Sequence, residues 1–254
     1  MIKISGATID TLPLQEGFTP NALQKEIFET LLKSSEVYRY DNANQLIFEL
    51  KLRNSIVDAA KDLNHSNFSF KVFRKSMCNA DYWQRTDEGG FQLESGIKPS
   101  DAIRDIYQHS SLYGTECSTA MIIVYYKALL DVLPEELFNK LFPDIYLMNW
   151  QHIDRDLAIA DFSKVADELP GDARYFKNPD VDPMTPEWQG ENVFFLGNGK
   201  YYGHGIGIAN AETIIKALNG ARVAESTKTA YLMDSVKRPN FKYLAGKLEN
   251  FKRI

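Results

Sequence analysis

With 254 residues, 44% of them hydrophobic and 25% charged, the chain can build a sizeable core and carries no compositional sign of disorder. A net charge of −5 and a pI near 5.5 argue against a general nucleic-acid binder, whose footprint would be basic. No apolar run reaches membrane-spanning length, the first residues lack an apolar signal core, and two cysteines make no disulfide framework. The expectation is cytoplasmic synthesis without a signal peptide, in a reducing compartment where both thiols stay free.

In chain order, "TPNALQKEIFETLLKSS" predicts a helix with Thr19 as N-cap, Pro20 in the first turn and Leu23, Ile27 and Leu31 on one face. "NANQLIFELKLRNSIVDAAKDLN" is the strongest helical pattern, with a stripe of Leu46, Ile47, Leu50, Val57, Ala60 and Leu63. "DYWQRTDEGGFQLES" reads as a hairpin turning at Asp87–Gly90. "PSDAIRDIYQHSS" reads as a short helix capped by Ser100 or Asp101, and a buried helix follows over 117–131. "DIYLMNW" (144–150) reads as a buried strand, and 151–172 as an irregular acidic excursion. "ARYFKNPDVDP" begins as a strand and ends in turns; "ENVFFLGNGKYYGHGIGI" is an Asn-Gly hairpin. A helix capped by Asn210 spans 211–219. Helices first and strands later, with no linker-like break, make this a single α+β domain over 1–254. The tail, 228–254, holds seven Lys/Arg against two acids. That is a solvated surface in the simplest reading, or else a docking patch for an acidic partner.

Chemistry concentrates at Cys117. The sequence "YGTECSTAMIIVYYKALL" puts this thiol at the first turn of a helix with an apolar stem, directly after Glu116. A helix N-terminus offers free N–H groups and partial positive charge, which lower a thiol's pKa. The placement fits a nucleophile on a rigid support, and equally a buried structural cysteine. Cys78 has no such context and reads as structural.

A nucleophilic thiol needs a base and an orienter. Of His65, His109, His152 and His204, the last is favoured by hairpin geometry. With a two-residue turn at Asn198-Gly199, His204 faces Val193 and shares a sheet face with Glu191, its diagonal neighbour. A one-residue slip would send it to the other face. The scattered Cys and His give no zinc spacing. "DRDLAIADFSKVADE" is not a calcium loop, and no phosphate-loop or dinucleotide fingerprint is present, so neither metal nor cofactor is expected.

Several blocks together resemble a known family. They are "LIFELKLRNSIVDAAK" (46–61), "PSDAIRDI" (99–106), "TECSTAMIIVYYKALLD" (115–131), "YFKNPDVDP" (175–183), "WQGENVFFLG" (188–197) and "HGIGI" (204–208). In this order they are similar to the spore-coat protein-glutamine gamma-glutamyltransferase (transglutaminase) of spore-forming bacilli, over nearly the whole chain. The resemblance implies a papain-like core of the cell-wall endopeptidase type. It implies Cys117 as nucleophile, His204 as its histidine, and Glu191 and Glu116 as the carboxylates. Relatives carry an aromatic and an Ala where this chain has Thr115 and Ser118.

The implied reaction is attack of the thiolate on a glutamine carboxamide, loss of ammonia, and capture of the thioester by a lysine amine. The product is an isopeptide crosslink, made without calcium or another cofactor. One glutamate would serve the acceptor amine while the other orients His204, the default base for the thiol. Trp150, Tyr175, Phe176 and Trp188 are candidate walls that keep water from the thioester, with Trp150 and Trp188 as substrate-binding residues. Protein substrates bearing glutamine and lysine, from the spore coat, are the implied partners, with neither nucleic acid nor membrane. The implied location is the mother cell and then the coat. Two other readings use the same residues: a cysteine amidase or peptidase with water as acceptor, and a non-catalytic coat protein with a relic site.

Overall fold

Two helices stacked on an antiparallel sheet organise the chain. A computed structural model describes residues 1–13 and 17–253. Its helices are α1 (Ala22–Lys33), α2 (Ala43–His65), α3 (Pro99–Gln108), α4 (Cys117–Val132), α5 (Glu135–Leu141), α6 (Ala211–Asn219) and α7 (Phe241–Phe251). The α+β expectation holds, with the cysteine on a helix N-terminus packed on an antiparallel sheet.

α4 is apolar on every side because it is covered on every side. Met121, Ile122, Ile123, Val124, Tyr125 and Tyr126 are all buried, against α2 on one flank and the sheet strand Gly190–Gly197 on another. The stripe expected on α2 is buried throughout. That helix also carries a buried charge network. Arg53 bonds Glu49 at 2.8 Å and Asp172 at 2.8 Å, and Arg238 donates to the same Asp172 at 2.6 and 2.7 Å. Two cations against two anions offset their desolvation and tie α2 to the sheet.

The seven-stranded sheet runs Gly207–Asn210, Lys200–Gly203, Gly190–Gly197, Ala173–Lys177, Val236–Pro239, Ile159–Phe162. Tyr231–Leu232 adds to the Ala173–Lys177 strand. Its two faces bury different cores. Ala173, Phe194 and Tyr202 face the α2–α4 core; Phe176, Val193, Phe195 and Tyr201 pack with Ile214 and Leu218 of α6. The Asn-Gly hairpin forms where expected, with Asn198 at φ 50° and Gly199 at φ 64°.

Some local expectations are corrected. α1 is capped by Asn21, not Thr19: Asn21 Oδ1 accepts from Gln24 N–H and the Gln24 side chain accepts from Asn21 N–H, a closed capping box. Neither Ser100 nor Asp101 caps α3, which starts on Pro99 with Lys98 as its uncapped flank. Only Tyr146–Leu147 of 144–150 is strand. The excursion 151–172 is not wholly irregular: Ile159–Phe162 pairs with Val236–Pro239, a partner about 75 residues away that leaves no local signal. Five of the seven cations in the basic tail have acidic partners, while Lys252 and Arg253 are exposed. Lys228, Lys237, Lys242 and Lys247 meet Asp180, Asp161, Asp41 and Asp156, and Arg238 is buried on Asp172. Among the described residues no helix is long and apolar enough to cross a membrane.

Candidate active site

The nucleophile's approach is fixed by backbone. Gly114–Thr115 pairs in parallel with Ser69–Phe70, and Gly114 exchanges hydrogen bonds of 2.9 Å with Met77. A side chain at Gly114 would stand 2.5 Å from Ser69 Oγ, so the close approach requires glycine. The chain then enters α4 through Glu116 as N-cap. Its carboxylate accepts from Ser118 N–H at 2.6 Å, Thr119 N–H at 2.7 Å, Ser118 Oγ at 2.9 Å and Thr119 Oγ1 at 2.5 Å. The carboxylate beside the thiol therefore closes the helix start. Cys117 follows, half-buried in the wall of a cleft of about 1080 Å³.

The thiol is not acidified there, contrary to the sequence expectation. Burial pushes it well above its ordinary range, and the negative charge of Glu191 and then Glu116 pushes the same way. The helix N–H groups that would stabilise a thiolate are occupied by Glu116. The opposing influence is Asn192, whose Nδ2 donates to Cys117 Sγ at 3.2 Å.

Glu191 is buried, and its Oε1 has no hydrogen-bond partner among the described residues. Burial, then the charge of Glu116, raises its carboxyl well above the usual range. Gly203 makes room for it: a Cβ there would lie 2.7 Å from Oε1. His204 is buried between Phe68 and Phe70, and burial lowers its pKa to about 4, against the raising effect of Ser69 and Thr115 backbone groups. Its Nε2–H donates to Ser69 O at 3.2 Å, so Nδ1 is the acceptor for Tyr202 O–H at 3.2 Å. No hydrogen bond joins His204 to Cys117, and neither glutamate orients the ring. All three shifts run toward the uncharged form of their group.

The hairpin register differs from expectation by one residue. Gly197 does face Lys200, but a bulge follows, and Val193 faces Gly203 instead of His204. His204 thus falls opposite Asn192, on the face of Phe194 and Tyr202, and is not on the face of Glu191. The slip brings His204 to the side of the sheet where α4 lies, the side Asn192 already shares with Phe194 by alternation. Asn192 escaped the sequence reading because the expected register made the opposite face, that of Glu191, the catalytic one.

The expected walls divide by sheet face. Trp150 and Tyr175 line the cleft with Phe70, Phe73 and Met184. Burial, then Cys117, raises Tyr175 to about 12, and Gly190 leaves space for its ring. Phe176 and Trp188 do not line it; both pack on the α6 side, and Pro186, Glu187 and Gln189 reach the cleft instead. Cys78 is half-buried in a separate small cavity, with its thiol raised to about 11 by burial. Among the described residues no three His, Cys, Asp or Glu gather as metal ligands.

Residues 1–249 match the family model described as protein-glutamine gamma-glutamyltransferase. The chain is 46% identical over 222 residues to the protein-glutamine gamma-glutamyltransferase of Bacillus mycoides (strain KBAB4), covering 87% of this chain and 80% of that one. The protein of the same description from Bacillus cereus (strain B4264) matches with the same identity and coverage. Among solved structures, a transglutaminase from Geobacillus stearothermophilus (without C-terminal extension) is similar with a TM-score of 0.78 and 50% identity. The match covers 82% of this chain and 98% of that chain.

Proposed function

The chain belongs to the protein-glutamine gamma-glutamyltransferase family, and from that premise we propose that it crosslinks proteins through a thioester on Cys117, working as one transglutaminase domain over 1–254. The observation that carries this is the half-buried Cys117 in the cleft, with a donor on its sulfur and the unpartnered carboxyl oxygen of Glu191 nearby.

In the first half-reaction Sγ attacks the side-chain carbonyl carbon of a glutamine. The thiol proton passes to ionised Glu191 and on to the leaving nitrogen; the C–S bond forms, the C–N bond breaks, and ammonia departs. In the second, a lysine amine attacks the thioester carbon. Its proton returns through Glu191 to Sγ as the isopeptide bond forms and the C–S bond breaks. Fewer than about one lysine in a thousand is neutral at pH 7, so a carboxylate at the thioester that takes up the amine's proton supplies a real need. We assign this to Glu191, because the oxygens of Glu116 are engaged in capping. His204 holds the Ser69 and Thr115 backbone leading to the nucleophile, and would need to turn its ring to take the thiol proton.

Trp150 and Tyr175 shield the thioester from water. The reaction is read as proceeding without calcium, because the sequence carries no metal-ligand spacing. We place the substrates among spore-coat proteins, with passage from mother cell to coat, on the strength of the sequence blocks quoted above. The test is incubation with a glutamine-rich protein and a labelled primary amine. Covalent label that disappears with Cys117→Ala is the expected result. Ammonia release with no label attached would instead make the protein an amidase.

A further inference from the structure

We propose that Asn192 is a catalytic residue of this reaction, the donor that holds the sulfur of Cys117 as an anion, and that Trp150 is the positioning residue that aims it. The proposal rests on the transferase reading of the same site. A thiolate at a helix start ordinarily leans on the first free N–H groups. Here those of Ser118 and Thr119 are spent on Glu116. Two carboxyl groups and burial oppose ionisation, so the sulfur needs a donor from elsewhere.

Asn192 supplies it. Its amide sits between Trp150 Nε1, 2.9 Å from Oδ1, and Cys117 Sγ, 3.2 Å from Nδ2. An indole N–H can only donate, so the atom facing it is the amide oxygen, and the NH2 must face the sulfur. A flipped amide would set its NH2 against the indole N–H and lose that bond. Trp150 is itself held, edge-on to Tyr125 and under the Lys237 ammonium, 5.2 Å above the ring.

The backbone adds to this. Hydrogen bonds with the neighbouring segment fall on alternate residues, Gln189 and Phe195 among them, so Asn192 turns its N–H to the opposite edge. The Lys200–Gly203 strand stops one residue short of pairing there. That N–H faces Cys117, and its effect, like that of Nδ2, is to stabilise the thiolate.

The experiment is alkylation of Cys117 by iodoacetamide across pH, in a Cys78→Ala background that leaves one thiol. A hydrogen bond to a charged group is worth enough to move a pKa by about 1 to 2 units. Asn192→Ala should therefore slow alkylation about tenfold or more at any pH below the midpoint. Asn192→Asp keeps the shape and places a carboxylate at the sulfur; it should slow the reaction further, and it decides the matter if the Ala variant fails to fold. Trp150→Phe keeps a ring and loses the N–H. It should slow alkylation less, and not at all when Asn192 is already Ala. Asn192→Asp alkylating like its parent would overturn the assignment, as would an equal effect of Trp150→Phe with and without Asn192. Alkylation uses no glutamine or amine, so either result overturns the role of Asn192 while amine incorporation persists. Absence of amine incorporation in the unmodified chain would instead overturn the transferase reading.

Discussion

Glu116 and Glu191 should respond in opposite ways to the same substitution. Glu116→Gln removes a charge from a helix start and leaves one acceptor oxygen where two now take bonds from two N–H groups and two hydroxyls. Losing a good N-cap costs about 0.5–2 kcal/mol, and the lost charge at the helix terminus about 0.3–1 more. Together roughly 1–3 kcal/mol, at about 2–4 °C per kcal/mol for a chain of this size, lowers the melting temperature by about 2–12 °C. Glu191 is different, because it caps no helix and its Oε1 has no hydrogen-bond partner among the described residues. Its folded pKa is raised by burial and by Glu116. Above the unfolded value near 4.5 the unfolded chain releases this proton first, so wild-type stability falls as pH rises toward the folded value. Glu191→Gln lacks that loss, so its stability relative to wild type should improve from pH 5 to pH 8. Both ammonia release and isopeptide formation should collapse in Glu191→Gln, because each needs a proton acceptor at the thiol. Melting curves from pH 5 to 8, run beside the two activity assays, read all of this. If Glu116→Gln melts with wild type, or Glu191→Gln loses ground as pH rises, the roles assigned to the two glutamates are wrong.

Cys117→Ala should abolish amine incorporation while Cys78→Ala retains most of it, and the reverse pattern would move the nucleophile. EDTA should leave amine incorporation unchanged; activity lost in chelator and restored by calcium would refute calcium independence. His204 has a folded pKa of about 4 against about 6.5 unfolded, so between these values only the unfolded chain binds its proton. Stability should fall by roughly 3 kcal/mol as pH drops from 6.5 to 4, and denaturant titrations should show that part of the slope gone in His204→Asn.

The sequence by itself determined what depends on neighbours in the chain. The period of α2, the apolar stem of α4, the Asn-Gly turn and the Asn210 cap are local, so propensity and spacing suffice to read them. The placement of Cys117 at a helix start is local too, and ordered blocks of residues carried the family. The tertiary structure decided what depends on distant partners. The strand Ile159–Phe162 exists because Val236–Pro239 lies beside it. Four lysines of the basic tail pair with acids far away in sequence. Trp188 and Trp150 look alike as aromatics near the site, but they sit on separate short turns, and one packs on the α6 side while the other lines the cleft. The bulge past Gly197 weighed most. One residue of slip inverts which side chains meet, separating the expected pair of Glu191 and His204 and setting His204 opposite Asn192. Burial then reversed the thiol's expected shift, because the N–H groups that should have stabilised its charge already hold Glu116.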